Sequence, residues 1–325
     1  MYNLFRLIRI YNLLLIAITQ YLVRFCIVKP ILSVYGLQLG MSEFWFAMLV
    51  LSTVLIAAGG YAINDYFDTK TDRINRPDRV LVGKTFSRGF AIKLHFGLST
   101  IGSLMGIATA IYVGEWKYAL IFPLVAGMLW FYSTTYKSQF LIGNFIVSFL
   151  AAMVPVLVLI FEVARIGKID YAYIANNQIS LSPIIFMVLA YGLFAFLTTL
   201  IREVVKDMED FKGDIETGRS TLPIVWGLTR SKIVVATLAA IEIGATYVAF
   251  FAYLYNLPGG HFDWISLTYI TITIALPLFV AGMVAVLAKT SEGYRRSSLL
   301  VKIAMFGGVL YMVVFYEVFA HAIGL

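Results

Sequence analysis

Long apolar runs separated by short polar interruptions make up most of this chain. A helix needs about 20 mostly apolar residues to cross a bilayer. Nine stretches have that character: residues 10–28, 44–64, 89–113, 117–133, 141–162, 182–204, 232–255, 265–288 and 299–323. The fourth is the shortest. The pattern predicts an all-α, polytopic membrane protein with nine transmembrane helices in a single domain spanning residues 1–325.

Composition supports that class. Of 325 residues, 61% are hydrophobic and 13% charged, and the mean hydropathy is +0.87. Soluble domains average about 25% charged and 45–50% apolar residues, so this chain cannot build a water-facing surface of its size. A single cysteine, Cys26, excludes an intrachain disulfide framework and any multi-cysteine metal site. The histidines, His95, His261 and His321, are scattered. The first segment carries Arg6 and Arg9 but lacks a small-residue cleavage site, so it reads as the first span and not as a signal peptide.

The basic residues give an orientation. Twenty of the 25 Lys and Arg fall in the N-terminus, the 64–93 loop, the 134–140 turn, the 202–232 loop and the 289–302 region. The positive-inside rule then places the N-terminus and the two long charged loops in the cytoplasm. Nine spans put the C-terminus on the opposite side. The net charge of +7 reflects this topology and phosphate chemistry. No soluble basic domain or arm supports a nucleic-acid partner.

The acids are concentrated. Ten of the 18 Asp and Glu lie in two segments, one holding Asp65, Asp68, Asp72 and Asp78, the other Glu203, Asp207, Glu209, Asp210, Asp214 and Glu216. Each follows a hydrophobic span. Asp65, Asp68 and Asp72 are spaced by three and four residues, and so are Asp207, Asp210 and Asp214, each 142 residues after its counterpart. The match suggests an internal duplication, although convergence also produces such triplets. On a helix these positions share one face, so each triplet would project three carboxylates toward one point. Such a cluster needs a positive partner, and a hard cation such as Mg²⁺, held by carboxylates together with substrate phosphates, is the natural one. Solvated loop charges are the plain alternative. That alternative does not explain the matched spacing or the interleaved cations Arg73, Arg76, Arg79, Arg202, Lys206 and Arg219, of which the arginines' guanidinium forks suit phosphate oxygens.

The residues Asn64-Asp65-Tyr66-Phe67-Asp68 through Asp72, followed by Asn75-Arg76-Pro77-Asp78-Arg79, resemble the first motif of the UbiA-type intramembrane prenyltransferases. Arg202-Glu203 through Lys206-Asp207, Asp210 and Asp214, then Gly218-Arg219, is similar to the second. Tyr132-Ser133, Lys137 and Gly143-Asn144 resemble the segment after the fourth span, and Arg9 with Asn12 a pair in the first. The resemblance implies a ring of nine helices around a central cavity, with cytoplasmic cap loops after helices 2 and 6. It also implies two Mg²⁺ ions, one held by Asn64, Asp68 and Asp72 with Asp65 in support, the other by Asp207, Asp210 and Asp214. Arg9, Asn12, Arg73, Arg76, Arg79, Lys137, Arg202 and Lys206 would bind the substrate diphosphate. Tyr132, Tyr136 or Phe131 would stabilise an allylic cation or, with Asn144, meet the acceptor.

The expected partners are a polyprenyl diphosphate donor, an acceptor and membrane lipids, with no obligate protein partner. The two motifs look most like the glycerol-phosphate branch, which joins geranylgeranyl diphosphate to geranylgeranylglyceryl phosphate through an ether bond. After the first motif, residues 80–87 depart from the usual P-x-P-S-G stretch, so an aromatic acceptor (a hydroxybenzoate, homogentisate or dihydroxynaphthoate) stays open. A transporter is the non-enzyme alternative, but its binding residues would sit at midplane. A CDP-alcohol phosphotransferase would carry one longer aspartate array. Glu242, Lys302 and Glu317, inside spans, receive no role.

Overall fold

The computed structural model describes residues 2–254 and 262–323, apart from the side chains of Arg79, Tyr253, Leu254 and Ile323. His261 and residue 255 of the expected seventh span lie outside them. Helices account for the fold, with no strand among the described residues beyond an isolated Val82–Phe86 bridge. The long helices are α1 (Ile10–Val34), α2 (Glu43–Asn75), α3 (Arg88–Val113), α4 (Ile121–Thr134), α5 (Ile142–Ile169), α6 (Ser182–Glu209), α7 (Leu222–Ala249), α8 (Trp264–Leu287) and α9 (Ser291–Ile323).

Eight of these are long and apolar enough to cross a membrane, which makes the chain a multi-pass integral membrane protein. The expected fourth span differs. Its first residues, Trp116–Leu120, form a tight 3-10 turn, and the α-helix that follows has only 14 residues. At about 1.5 Å per residue that helix covers about 21 Å, short of the roughly 30 Å hydrocarbon core. Two other elements overshoot. α2 was expected to stop near residue 64 but runs to Asn75. At 33 residues it spans about 50 Å, so its last turns extend past an apolar core of ordinary thickness. These turns carry the first aspartate triplet. α6 continues to Glu209 in the same way.

Prolines shape the helices around the centre. In α1 a π-helical turn, Val23–Val28, precedes Pro30, and in α8 a similar turn, Thr271–Ala275, precedes Pro277. Each wide turn accommodates a residue that lacks an N–H. Pro155 lies inside α5, and the buried Gln20 side chain donates to the adjacent Val154 carbonyl at 3.2 Å. α3 packs tightly on α2 because Gly102 has no side chain. A Cβ there would lie 2.9 Å from the Ser52 carbonyl oxygen, and the Ser52 hydroxyl donates to the Gly102 carbonyl at 2.7 Å.

A cavity of about 320 Å³ runs through the middle of the bundle. It is lined from α1, α2, α4, α5, α6 and α9. α3, α7 and α8 contribute nothing to its wall. Leu15, Ile56, Val125, Leu150, Phe194 and Met312 are typical of its largely apolar lining.

Candidate active site

The charged segments after α2, α4 and α6 converge at one end of this cavity. Asn75, the last residue of α2, ties the two motifs together. Its amide accepts from the Gly213 N–H at 3.0 Å and donates to the Asp210 carbonyl at 3.2 Å. A Cβ on Gly213 would meet that amide at 2.4–2.7 Å, so the close approach requires glycine. The Thr71 and Thr217 hydroxyls lie 3.3 Å apart, and the Ser220 N–H donates to the Ser138 carbonyl at 2.8 Å.

The two triplets are built differently. Asp65, Asp68 and Asp72 sit on one continuous helix, as their spacing predicts. The second triplet does not share a helical face. Asp207 lies in the last turn of α6, Asp210 lies in the break (φ −89°, ψ 6°), and Asp214 belongs to the short helix Phe211–Glu216. The interruption turns that short helix back against the end of α2.

Asp68 is the hub. One carboxylate oxygen accepts from the Asn64 amide at 2.8 Å and from Lys137, and the other from Arg219 at 2.7 Å. Lys137 also donates to the Asn64 carbonyl oxygen at 3.0 Å. Arg219 reaches Asp214 at 3.5 Å, and the Thr221 hydroxyl donates to Asp214 at 3.3 Å. Asp214 is 1% exposed, and this burial pushes its carboxyl above the usual carboxylate range despite the Arg219 charge. Asp207 accepts from Asn144 at 2.8 Å. Arg76 pairs with Glu209 at 2.8 Å and Asp210 at 3.0 Å. Asp72 has no side-chain hydrogen bond or ion pair among the described residues.

A small polar pocket lies between these groups, lined by Asp207, Asp210, Asp214, Lys137, Arg219 and Asn144. Tyr132, Glu203 and Lys206 line both this pocket and the large cavity, so the two spaces adjoin. Lys137 stands 6.0 Å over the Tyr132 ring. Arg9 pairs with Asp65 at 2.9 Å, and Asn12 donates to the Tyr61 hydroxyl at 3.3 Å. Arg9, Asn12 and Arg202 line the large cavity and not the aspartate pocket.

Some expected site residues stand apart. Arg73 is exposed; like Asp65, Asp68, Asp72 and Arg76 it lines neither space, but unlike Asp65, Asp68 and Arg76 it joins no ion pair among the described residues. Tyr136 also lines neither, and its ring faces Phe131 at 6.4 Å. The Arg79 side chain lies outside the described part of the structure. Asn75 received no role from its place in the motif, because its task depends on Gly213, 138 residues away. Arg219 was legible as a flanking cation suited to a phosphate, but its pairing with Asp68 was not.

No three acidic, histidine or cysteine side chains among the described residues form a ready-made metal cage. Lys137 and Arg219 stand between the acids instead. The donor set still fits Mg²⁺ bound together with a diphosphate. It consists of oxygens alone, it includes the unpaired Asp72 and the singly bonded Asp207, and Mg²⁺ is ordinarily shared between one or two carboxylates and substrate phosphates.

The family model described as the UbiA prenyltransferase family matches residues 27–316. The chain belongs to this family. Among curated relatives, it is 34% identical to digeranylgeranylglyceryl phosphate synthase of Ignicoccus hospitalis over 203 residues, covering 62% of this chain and 61% of that one. The Thermococcus kodakarensis protein of the same name is 33% identical, with 69% and 73% covered, and that of Hyperthermus butylicus 28%, with 88% and 85% covered. Two solved structures share the fold. One, described as concerning digeranylgeranylglyceryl phosphate synthase in membranes, is 24% identical at a TM-score of 0.62, covering 99% of this chain and 98% of that one. The other is a UbiA homolog from Archaeoglobus fulgidus bound to DMAPP and Mg²⁺, 16% identical at 0.55, covering 96% and 99%.

Proposed function

We propose that this prenyltransferase moves a geranylgeranyl group from its diphosphate onto the free hydroxyl of geranylgeranylglyceryl phosphate, forming an ether. The observation that carries this reading is the meeting of both aspartate motifs, Lys137 and Arg219 beside an apolar cavity. The names of the curated relatives support the glyceryl phosphate acceptor. Clustering of 20 of the 25 basic residues supports a cytoplasmic position for this end.

Asn64, Asp68, Asp72, Asp207, Asp210 and Asp214 would hold two Mg²⁺ ions against the diphosphate. Bound there, the ions neutralise charge on the phosphate oxygens. Lys137 and Arg219, now bridged through Asp68, are placed to exchange that carboxylate for diphosphate oxygens. The allylic C–O bond breaks with its electron pair passing to the diphosphate. Fixed charge aimed at such a developing anion is usually the largest catalytic contribution. The acceptor hydroxyl oxygen bonds to the freed carbon, and its proton leaves with the diphosphate. Tyr132, at the boundary between pocket and cavity, offers a π-face to the transient cation. The apolar wall excludes water, which would otherwise capture it as an alcohol.

The test is product analysis with purified protein, radiolabelled geranylgeranyl diphosphate and Mg²⁺. Geranylgeranylglyceryl phosphate and a panel of aromatic acids compete as acceptors. A Mg²⁺-dependent diether, lost in Asp68→Ala and Asp210→Ala, is the expected result. A prenylated aromatic acid as sole product would move the acceptor class, and no transfer to any acceptor would overturn the reading.

A further inference from the structure

Four cations line the large cavity near its polar end: Arg9 at the start of α1, Arg202 and Lys206 on α6, and Lys302 on α9. They come from three helices that are far apart in sequence. Their compensation is incomplete. Arg9 is matched by Asp65 at 2.9 Å. Arg202 and Lys206 share one carboxylate, Glu203, at 2.9 Å and 3.4 Å. Lys302 has no hydrogen bond or ion pair among the described residues. The buried Nε of Arg202 lacks an acceptor. Lys302 is exposed where it lines the cavity, and the set carries a formal surplus of two positive charges that an anionic ligand would match.

Arg9 shows a second sign of a built site. Its backbone is left-handed (φ 53°, ψ 57°) at the head of α1, a strained conformation for a residue with a side chain. That turn sets its guanidinium 4.9 Å over the Tyr61 ring and against Asp65. Arg202 and Lys302 line the cavity but not the aspartate pocket, whereas Glu203 and Lys206 line both. This basic group is a neighbour of the diphosphate site with its own opening into the apolar space.

We infer that Arg9, Arg202, Lys206 and Lys302 form a separate subsite for a phosphate monoester, the headgroup of the acceptor, with Lys302 as its specificity-determining residue. The inference rests on the function proposed above and names which phosphate these cations take. A phosphate monoester carries about −1.5 to −2 charges at neutral pH, which matches the surplus. Its three terminal oxygens suit donors that arrive from three helices. The attached isoprenoid chain then lies along the apolar wall of the same cavity. The acceptor hydroxyl, a few bonds from the phosphate, is carried toward Tyr132 and the aspartate pocket.

Two measurements on the purified full-length protein test this. The first is steady-state kinetics with geranylgeranyl diphosphate and Mg²⁺ saturating and geranylgeranylglyceryl phosphate varied. Loss of one hydrogen bond to a charged group predicts that Lys302→Met raises the acceptor KM about ten- to a hundredfold. The donor KM stays unchanged, and Lys302→Arg recovers most of the loss. The matching alcohol without phosphate serves the wild type and Lys302→Met equally poorly. A rise in donor KM would return Lys302 to the diphosphate, and no change in either KM would leave it a snorkelling surface lysine. Both results overturn the inference while leaving the proposed function intact. The second is equilibrium binding of the acceptor lipid without donor or Mg²⁺, which reads the subsite even where turnover fails. Equal affinity for the wild type and Lys302→Met overturns the inference. So does displacement of the lipid by inorganic phosphate at matching concentration, which would mark a site for free phosphate.

Discussion

Two groups of charge sit inside the bundle at opposite ends of the helices, and they are finished to different degrees. At the end away from the aspartates, Glu162 accepts from Arg24 at 2.7 Å and from the Gly40 and Met41 N–H groups at 2.9 and 3.1 Å. Arg24 also pairs with Glu43 at 2.9 Å and donates to the Met41 carbonyl. Both Arg24 and Glu162 are fully buried, and each charge is ion-paired within the protein, although Arg24 Nη1 makes no hydrogen bond. At the aspartate end, Asp72 and Lys302 are unpaired among the described residues, Asp207 has a single amide partner, and Arg202 keeps a free donor. Arg9 and Arg24 are 15 residues apart on α1, about 22 Å along a helix. Buried charge satisfied from within holds elements together. Charge left short of partners around a cavity is poised for something the protein does not contain.

The largest effect expected from breaking this contrast lies at the satisfied end. Removing one partner of a buried pair typically costs about 3–5 kcal/mol, because the other charge is stranded. Arg24→Met should therefore lower the thermal midpoint of the detergent-purified protein sharply. Arg24→Met with Glu162→Gln should regain part of the loss, since only Glu43, which is largely exposed to solvent, then lacks its partner. Donor and acceptor KM of the folded fraction should not move. Lost turnover at an unchanged midpoint would place Arg24 in the reaction instead.

The mirror experiment is Asp72→Asn. No cation is released when this carboxylate is neutralised, so the midpoint should hold or rise. Loss of one well-placed charge-stabilising group typically lowers kcat about 10²- to 10³-fold, and the Mg²⁺ concentration for half-maximal rate should increase. A stability loss comparable to that of Arg24→Met, with normal turnover, would dissolve the distinction between the two ends.

The same contrast explains what the sequence revealed. The aspartate triplets were legible because a spacing of three and four residues has one meaning on a helix, and α2 carries its triplet on a continuous helix through Asn75. The second triplet has the same spacing but breaks at Asp210. That break is held by Asn75 from across the fold, a tertiary contact that local pattern does not encode. Hydropathy read 117–133 as a span, yet Trp116–Leu120 winds as a 3-10 turn and leaves a short α4. Arg24 counted only as a basic residue on the far side, since its partner Glu162 lies 138 positions later. Lys302 stood out as an ionisable residue in a span, but its proximity to Arg9 and Arg202 came only with the folded bundle.

The smallest change should test the joint between the motifs. Gly213→Ala adds one methyl group where the Asn75 amide already sits, at 2.4–2.7 Å. The amide must move, and its bonds to the Gly213 N–H and the Asp210 carbonyl loosen together. Overpacking of this kind costs about 1–3 kcal/mol. Here it should fall on the placement of Asp210 and Asp214 more than on the fold, because the short helix Phe211–Glu216 is the element displaced. The expected signature is a higher donor KM and a higher Mg²⁺ requirement with a midpoint lowered by only a few degrees. Asn75→Ala should resemble it, and the double variant should be no worse than Asn75→Ala alone, since the added methyl then has room. Additive losses in that cycle would mean that the two residues act independently. The second motif would then be held against α2 by other contacts, such as that between Thr71 and Thr217.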